Sequence, residues 1–205
     1  MLLTDQFKSF GSDGQPGTHF PPASPPAIFP SRASCADHAG FPGSYDDVDV
    51  TDCLFIFGHN VAATQTVLWS RMLDRMAGPN PPKCVVVDPR LSLTAEHATV
   101  HLRPRVGTNL ALLNGMQRML VVKGYVKMDY VEKNTIGFED LKGHIMGYTP
   151  ERVEEITGVK PMDLEAAVDV IGKAKTVLTT ALQGVYQSNQ AVASAVALNN
   201  IQLLT

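Results

Sequence analysis

Cysteine, basic clusters and long apolar runs are all scarce in this chain of 205 residues, and each scarcity removes a class of function. The three cysteines, Cys35, Cys53 and Cys84, are odd in number and widely spaced. They form neither a disulfide framework nor a CxxC metal or redox motif, and the expected compartment is reducing and cytoplasmic. No stretch approaches the roughly 20 apolar residues of a membrane helix, so no membrane span is expected. Met1 is not followed by a charged-then-apolar signal sequence. Seventeen Lys plus Arg stand against twenty Asp plus Glu, a net charge of −3, with no basic block. Nucleic acid, which demands a positive footprint, is therefore not an expected partner. A GxGxxG dinucleotide fingerprint is missing as well.

What is present is enough apolar sequence, 44% of residues against 18% charged, to bury a real core. The chain divides unequally. Seven of its 14 prolines fall in the first 45 residues, and Thr18 to Phe41 carries neither a strand nor a helix period. Burial cannot offset the ordering entropy of such a segment. Residues 1–44 are expected to be mostly irregular, with a proline-rich insert at 18–41, and residues 45–205 to form one α/β domain.

Within that domain, Cys53 to Phe57 is a continuous apolar run ending at Gly58, the pattern of a strand buried on both faces. A helix is expected from Val61 to Met76, with Val61, Leu68, Met72 and Met76 on one face and Trp69 and Leu73 beside them. Gly78-Pro79-Asn80-Pro81-Pro82 stops it, and Cys84 to Val87 reads as a second buried strand. Strand, helix and strand with short joints make a βαβ unit. Thr99 to Leu102 and Thr176 to Thr180 are further strand candidates. Leu110 to Val122 is a helix too apolar for the surface. Thr149-Pro150-Glu151 starts another, and Leu164, Ala167, Val168 and Ile171 keep helical spacing. Gln190 to Leu204 is the last helix. The expected fold is α/β, a mainly parallel sheet with flanking helices, Rossmann-like but lacking GxGxxG.

Ligands of such sheets sit outside the carboxyl ends of the strands. Four loops leave those ends: Gly58 to Thr64, Asp88 to Ser92, Arg103 to Asn109, and Gln183 to Asn189. Glycine lets backbone approach a ligand, helix N-termini attract phosphate, and Asp88 suits ribose hydroxyls or a base N–H pair. The set describes a nucleotide-type cradle, although many ordinary α/β loops also carry glycine. His97 and His101 are four apart; on a strand that is about 13 Å, too far for one metal. His59 reads equally as a loop histidine or a cofactor contact. Arg71, Asp74 and Arg75 read as an exposed charged helix face. Arg90, Arg103 and Arg105 flank the loops that a diphosphate would approach. Cys53 and Cys84, inside strands, read as small buried hydrophobes.

The stretches CLFIFGHNVAATQTVLWSRML, KCVVVDPRLSLTAEHATVHLRPRVGTNLALLNG and TALQGVYQSNQ resemble the molybdopterin oxidoreductase family, which includes bacterial-type nitrate reductases and formate dehydrogenases. The resemblance covers about Phe7 to Gly17 and then Pro42 to Thr205. It implies molybdopterin guanine dinucleotide as the cofactor. Gly58, His59, Asn60, Val61, Ala62, Ala63 and Thr64 match a G-x-N loop that holds a guanine nucleotide arm. Asp88, Pro89, Arg90, Leu91 and Ser92 continue that contact. Gly107, Thr108 and Asn109 match an element that reads guanine, and the turn from Gln183 to Gln187 approaches the pterin side.

Family members hold molybdenum through a residue that precedes anything found here, and their iron–sulfur cysteines come earlier still. The resemblance thus implies an internal fragment without catalytic or metal-ligating residues of its own. Molybdenum and an iron–sulfur cluster would belong to the full-length enzyme, as would the remaining domains and an electron-transfer partner. By the resemblance, Thr18 to Phe41 is expected to have no counterpart in the family; the flanking GQPG and SY would join directly. The expected function is the cofactor-binding part of a molybdopterin-dependent oxidoreductase. The alternative is a non-catalytic descendant, as in the large iron–sulfur subunit of respiratory complex I.

Overall fold

Continuous apolar strands need cover on both faces, and the architecture follows from that. The computed structural model describes residues 29–30 and 45–205. Four strands, Cys53–Phe57 (β2), Lys83–Val87 (β3), Val100–Leu102 (β4) and Val177–Ala181 (β6), form an all-parallel sheet in the order β4-β3-β2-β6. Cys53 lies opposite Lys83 on one side and Val177 on the other, and Val87 lies opposite Leu102. Every residue of β2 is buried. The edge strand β6, Val-Leu-Thr-Thr-Ala, is only half-buried along most of its length, which suits its two threonines.

Helices sort onto the two faces. Cys53, Phe55, Phe57, Val85, Val87 and Leu102 share a core with Asn109–Val122 (α4), Pro150–Thr157 (α7), Pro161–Lys173 (α8) and Ala191–Leu204 (α10). Leu54, Ile56, Cys84 and Val86 pack on Asp47–Val50 (α1), Val61–Thr64 (α2) and Thr66–Ala77 (α3). A third cluster joins Val131 of Met128–Asn134 (α5), Leu141 and Ile145 of Phe138–Ile145 (α6), and Leu204. As its composition suggests, α4 is deeply buried, from Leu110 through Leu120. Thr149 caps α7 by accepting a hydrogen bond from the Arg152 N–H, with Pro150 in the first turn.

Two expectations are corrected, and a third is refined. The helix from Val61 to Met76 is two helices, α2 and α3, broken at Gln65, whose φ of −138° and ψ of 64° are not helical. The charged face of α3 is accessible as expected, but its arginines are engaged rather than free. Arg71 donates to Asp46 and Asp49, tying α3 to the α1 segment, and Arg75 donates to the carbonyls of Pro79, Asn80 and Thr51. His97 closes a 3-10 turn, Ala95–His97, and so does not share strand β4 with His101. Within the proline-rich segment, Phe29–Pro30 (β1) pairs antiparallel with Thr135–Ile136 (β5). Proline fits there because the pairing is an edge of only two residues. The rest of 18–41, with Cys35, lies outside the described residues.

Cys53 and Cys84 are buried free thiols, and burial pushes both up to about 12. At pH 8 they are protonated and shielded, so iodoacetamide should leave both unmodified in the folded chain and label both in urea. Peptide mass mapping reads the outcome; labelling of either at native conditions would contradict this core.

Candidate functional site

A parallel sheet brings all of its exit loops to one edge. From β2 the chain steps outward through β3 to β4, whereas β6 lies on the other side of β2. The direction of winding therefore reverses between β2 and β6, and a crevice at that point is where open α/β sheets take ligands. Two glycines meet there. Gly58 follows β2 at φ +58°, and Gly184 lies in the short helix Gln183–Tyr186 (α9) after β6. The Gly184 N–H donates to the Gly58 carbonyl at 2.9 Å. A Cβ on Gly184 would fall 2.6 Å from Gly58 Cα, and one on Gly58 would fall 2.9 Å from the Gly184 backbone. Only glycine at both positions permits this contact.

The other loops are tied to the same point. Asn109, the first residue of α4, donates from Nδ2 to the Gly184 carbonyl at 3.0 Å. That leaves Asn109 Oδ1 and one amide hydrogen for another partner. Gly107 precedes it at φ +87° in open space, and Thr108 Oγ1 donates to the Arg105 carbonyl. On the other flank, Thr94 Oγ1 bridges the loop after β3 to Asn60 Oδ1 and the Ala62 N–H. Asp88 is 7% exposed, and its Oδ1 accepts from the Arg90 N–H at 2.8 Å. Its second oxygen has no hydrogen bond among the described residues. Ser92 is buried, while Pro89, Arg90, Leu91, Gln183 and Gln187 are exposed.

Several assignments need revision. The N–H groups of Val61, Ala62 and Ala63 do not face open space: they donate to the His59 carbonyl, Thr94 Oγ1 and the Asn60 carbonyl. Arg105 caps α7, donating to the Glu155 and Ile156 carbonyls beside Gly158. Arg103 and Arg90 remain exposed. His101 Nε2 is 2.9 Å from the Asp88 carbonyl, and His97 Nδ1 is 3.1 Å from the Leu93 carbonyl. Among the described residues no three His, Cys, Asp or Glu side chains are grouped to hold a metal, and no helix is long and apolar enough to cross a membrane. His59 is 4% exposed with both ring nitrogens unpartnered, and burial lowers its pKa. Thr94 carries no local sequence signal of its bridging role, because its two partners lie 32 and 34 residues away.

The parallel sheet with helices on both faces defines an α/β domain of the doubly wound class. The chain belongs to the molybdopterin oxidoreductase family: the family model described as Molybdopterin oxidoreductase matches residues 21–204. It is 35% identical over 166 residues to a nitrate reductase of Synechocystis sp., a match covering 81% of this chain and 23% of that protein. To formate dehydrogenase H of Escherichia coli it is 33% identical over 160 residues, covering 78% of this chain and 22% of that one. The chain thus spans about a quarter of the length of these relatives. The fold matches acetylene hydratase from Pelobacter acetylenicus with a TM-score of 0.67 at 22% identity, over 89% of this chain and 23% of that one. Membership of the family implies a molybdopterin cofactor.

Two predictions follow from the geometry of this edge. Gly184→Ala and Gly58→Ala should each destabilise the fold by about 2–3 kcal/mol, through overpacking against backbone and, for Gly58, its positive φ as well. Gly107→Ala, strained in φ alone, should lose only about 1 kcal/mol. Urea unfolding checks the ranking, and equal losses at all three would show that the loops are not in contact. Separately, the buried His59 holds its proton less tightly when folded than its ordinary value of 6.5, so the unfolded chain binds more protons just below that pH. Stability should therefore fall as pH drops from 6.5 toward the lowered folded value, and His59→Gln should remove that part of the dependence. Identical pH profiles for the two proteins would refute it.

Proposed function

We propose that the carboxyl edge of this sheet holds one guanine nucleotide arm of molybdopterin guanine dinucleotide, within a longer molybdenum oxidoreductase acting on nitrate, formate or a similar small oxyanion. The observation that carries the reading is that Asp88 and Asn109, each anchored by one hydrogen bond, keep further polar capacity on the loops that leave the sheet near the Gly58–Gly184 contact, at its reversal point. Asp88 offers a carboxylate oxygen to ribose hydroxyls or to the N–H edge of guanine. Asn109, anchored through Gly184, keeps an acceptor and a donor for the base. Arg90, whose Nε lies 3.9 Å from Asp88 Oδ1, and Arg103 are exposed cations on these loops that could meet a diphosphate. These groups fit a guanine nucleotide, and bare glycine backbone allows it close approach. The redox chemistry belongs to the cofactor when bound, while the chain's own residues grip and orient it. The remaining domains of the longer enzyme would cover the exposed Leu91, Leu93, Val106 and Tyr186 on these same loops. They would also supply the molybdenum ligand, any iron–sulfur cluster and the surface for an electron-transfer partner.

Calorimetric titration of the chain with GDP tests the reading. Asp88→Ala should weaken binding roughly 10–100-fold, the worth of a charge-assisted hydrogen bond. Asn109→Ala should reduce the preference for GDP over ADP. Unchanged affinity and selectivity in both variants would reduce these loops to ordinary strand exits.

A further inference from the structure

Thr94 lies just beyond the Asp88 to Ser92 loop, and its fully buried side chain joins that loop to the one after β2. The Ala62 N–H donates to Thr94 Oγ1 at 3.0 Å, and the same hydroxyl is 2.9 Å from Asn60 Oδ1. A threonine hydroxyl has one hydrogen and two lone pairs, and a backbone N–H can only donate. Ala62 therefore occupies a lone pair, and the hydroxyl hydrogen goes to Asn60. Turning the Asn60 amide over would leave that hydrogen with no acceptor among the described residues, at a position closed to water, which is unfavourable. The relay fixes the amide with Oδ1 toward Thr94 and Nδ2 away from it. Asn60 is half-buried, and its Nδ2 has no hydrogen-bond partner among the described residues.

We infer that Thr94 is a positioning residue: through this relay it makes the loop after β2 present a hydrogen-bond donor, which suits that loop to a phosphate oxygen rather than to the N–H groups of a base. The inference rests on the nucleotide reading above and assigns the phosphate end of that ligand to Asn60. The amides of Val61 to Ala63 cannot take this part, since each already donates within the chain. Threonine at 94 thus sets chemical polarity 34 residues away in sequence.

Titration of the full chain with two probes, GDP and guanosine, separates the roles. Thr94→Val should weaken GDP about tenfold, the worth of one hydrogen bond to a charged group, and leave guanosine unchanged. Thr94→Ser, which keeps the relay, should restore GDP binding. Asn60→Asp keeps the acceptor for the Thr94 hydrogen but replaces the donor by an anion. It should lose GDP binding at an unchanged melting temperature, and it decides the matter if Thr94→Val does not fold. Wild-type GDP affinity in Thr94→Val or in Asn60→Asp would overturn the inference, as would equal losses of GDP and guanosine, the mark of a merely structural role. In those cases binding of GDP by the wild-type chain keeps the nucleotide reading intact. No binding of either probe by the wild-type chain would defeat that reading, and this inference with it.

Discussion

Everything at the candidate site depends on two loops touching through bare backbone. The Gly184 N–H reaches the Gly58 carbonyl with no side chain between them, and this closes the gap between the central strand and its neighbour across the reversal of the sheet. Asn109 then fastens α4 to the same glycine. Three parts of the chain far apart in sequence become one rim. A β-carbon at either glycine would push the rim apart, and the polar groups it carries would lose their common focus.

The two cores give that rim its rigidity. β2 is covered on one face by α4, α8 and α10 and on the other by α1 to α3, so its end cannot shift without disturbing both layers. The polar groups at the rim are held in turn by specific hydrogen bonds: Asn60 by Thr94, Asn109 by Gly184, and Asp88 by the Arg90 amide. Each of these side chains keeps polar capacity free. Preorganised groups of this kind bind a polar ligand without first having to be ordered. His59 runs against the trend, buried with neither ring nitrogen engaged, and a buried polar group without a partner is unfavourable.

Much of this was legible in the sequence because the strands bury both faces. Cys53 to Phe57 and Cys84 to Val87 are apolar throughout, and only a covered parallel strand wants that pattern. The glycine-bearing loops at the strand ends were legible for the same reason: strand ends locate themselves once the strands are found. The local pattern could not reveal contacts made at long range. The break at Gln65 interrupts a clean helical period; it falls just after the turn whose Ala62 amide is held by Thr94. Arg71 looked unpartnered because Asp46 and Asp49, to which it donates, are 25 and 22 residues away. Arg105 looked free beside a phosphate path because the α7 carbonyls it caps lie 50 residues on. A spacing rule sees none of these.

Ligand binding is proposed for the carboxyl edge of the sheet. The opposite edge provides a control, since Asp52, Lys83, Asp169, Lys173 and Lys175 line a cavity of about 450 Å³ there. Amide chemical shifts of the isotopically labelled chain, followed during titration with GDP, distinguish the two directly. Binding at the carboxyl edge should give saturable shifts at residues 58–60, 88–92, 107–109 and 183–187, with residues 52, 83 and 173–175 unmoved. Shifts confined to the lysine-lined edge, or none at the glycine contact, would contradict it.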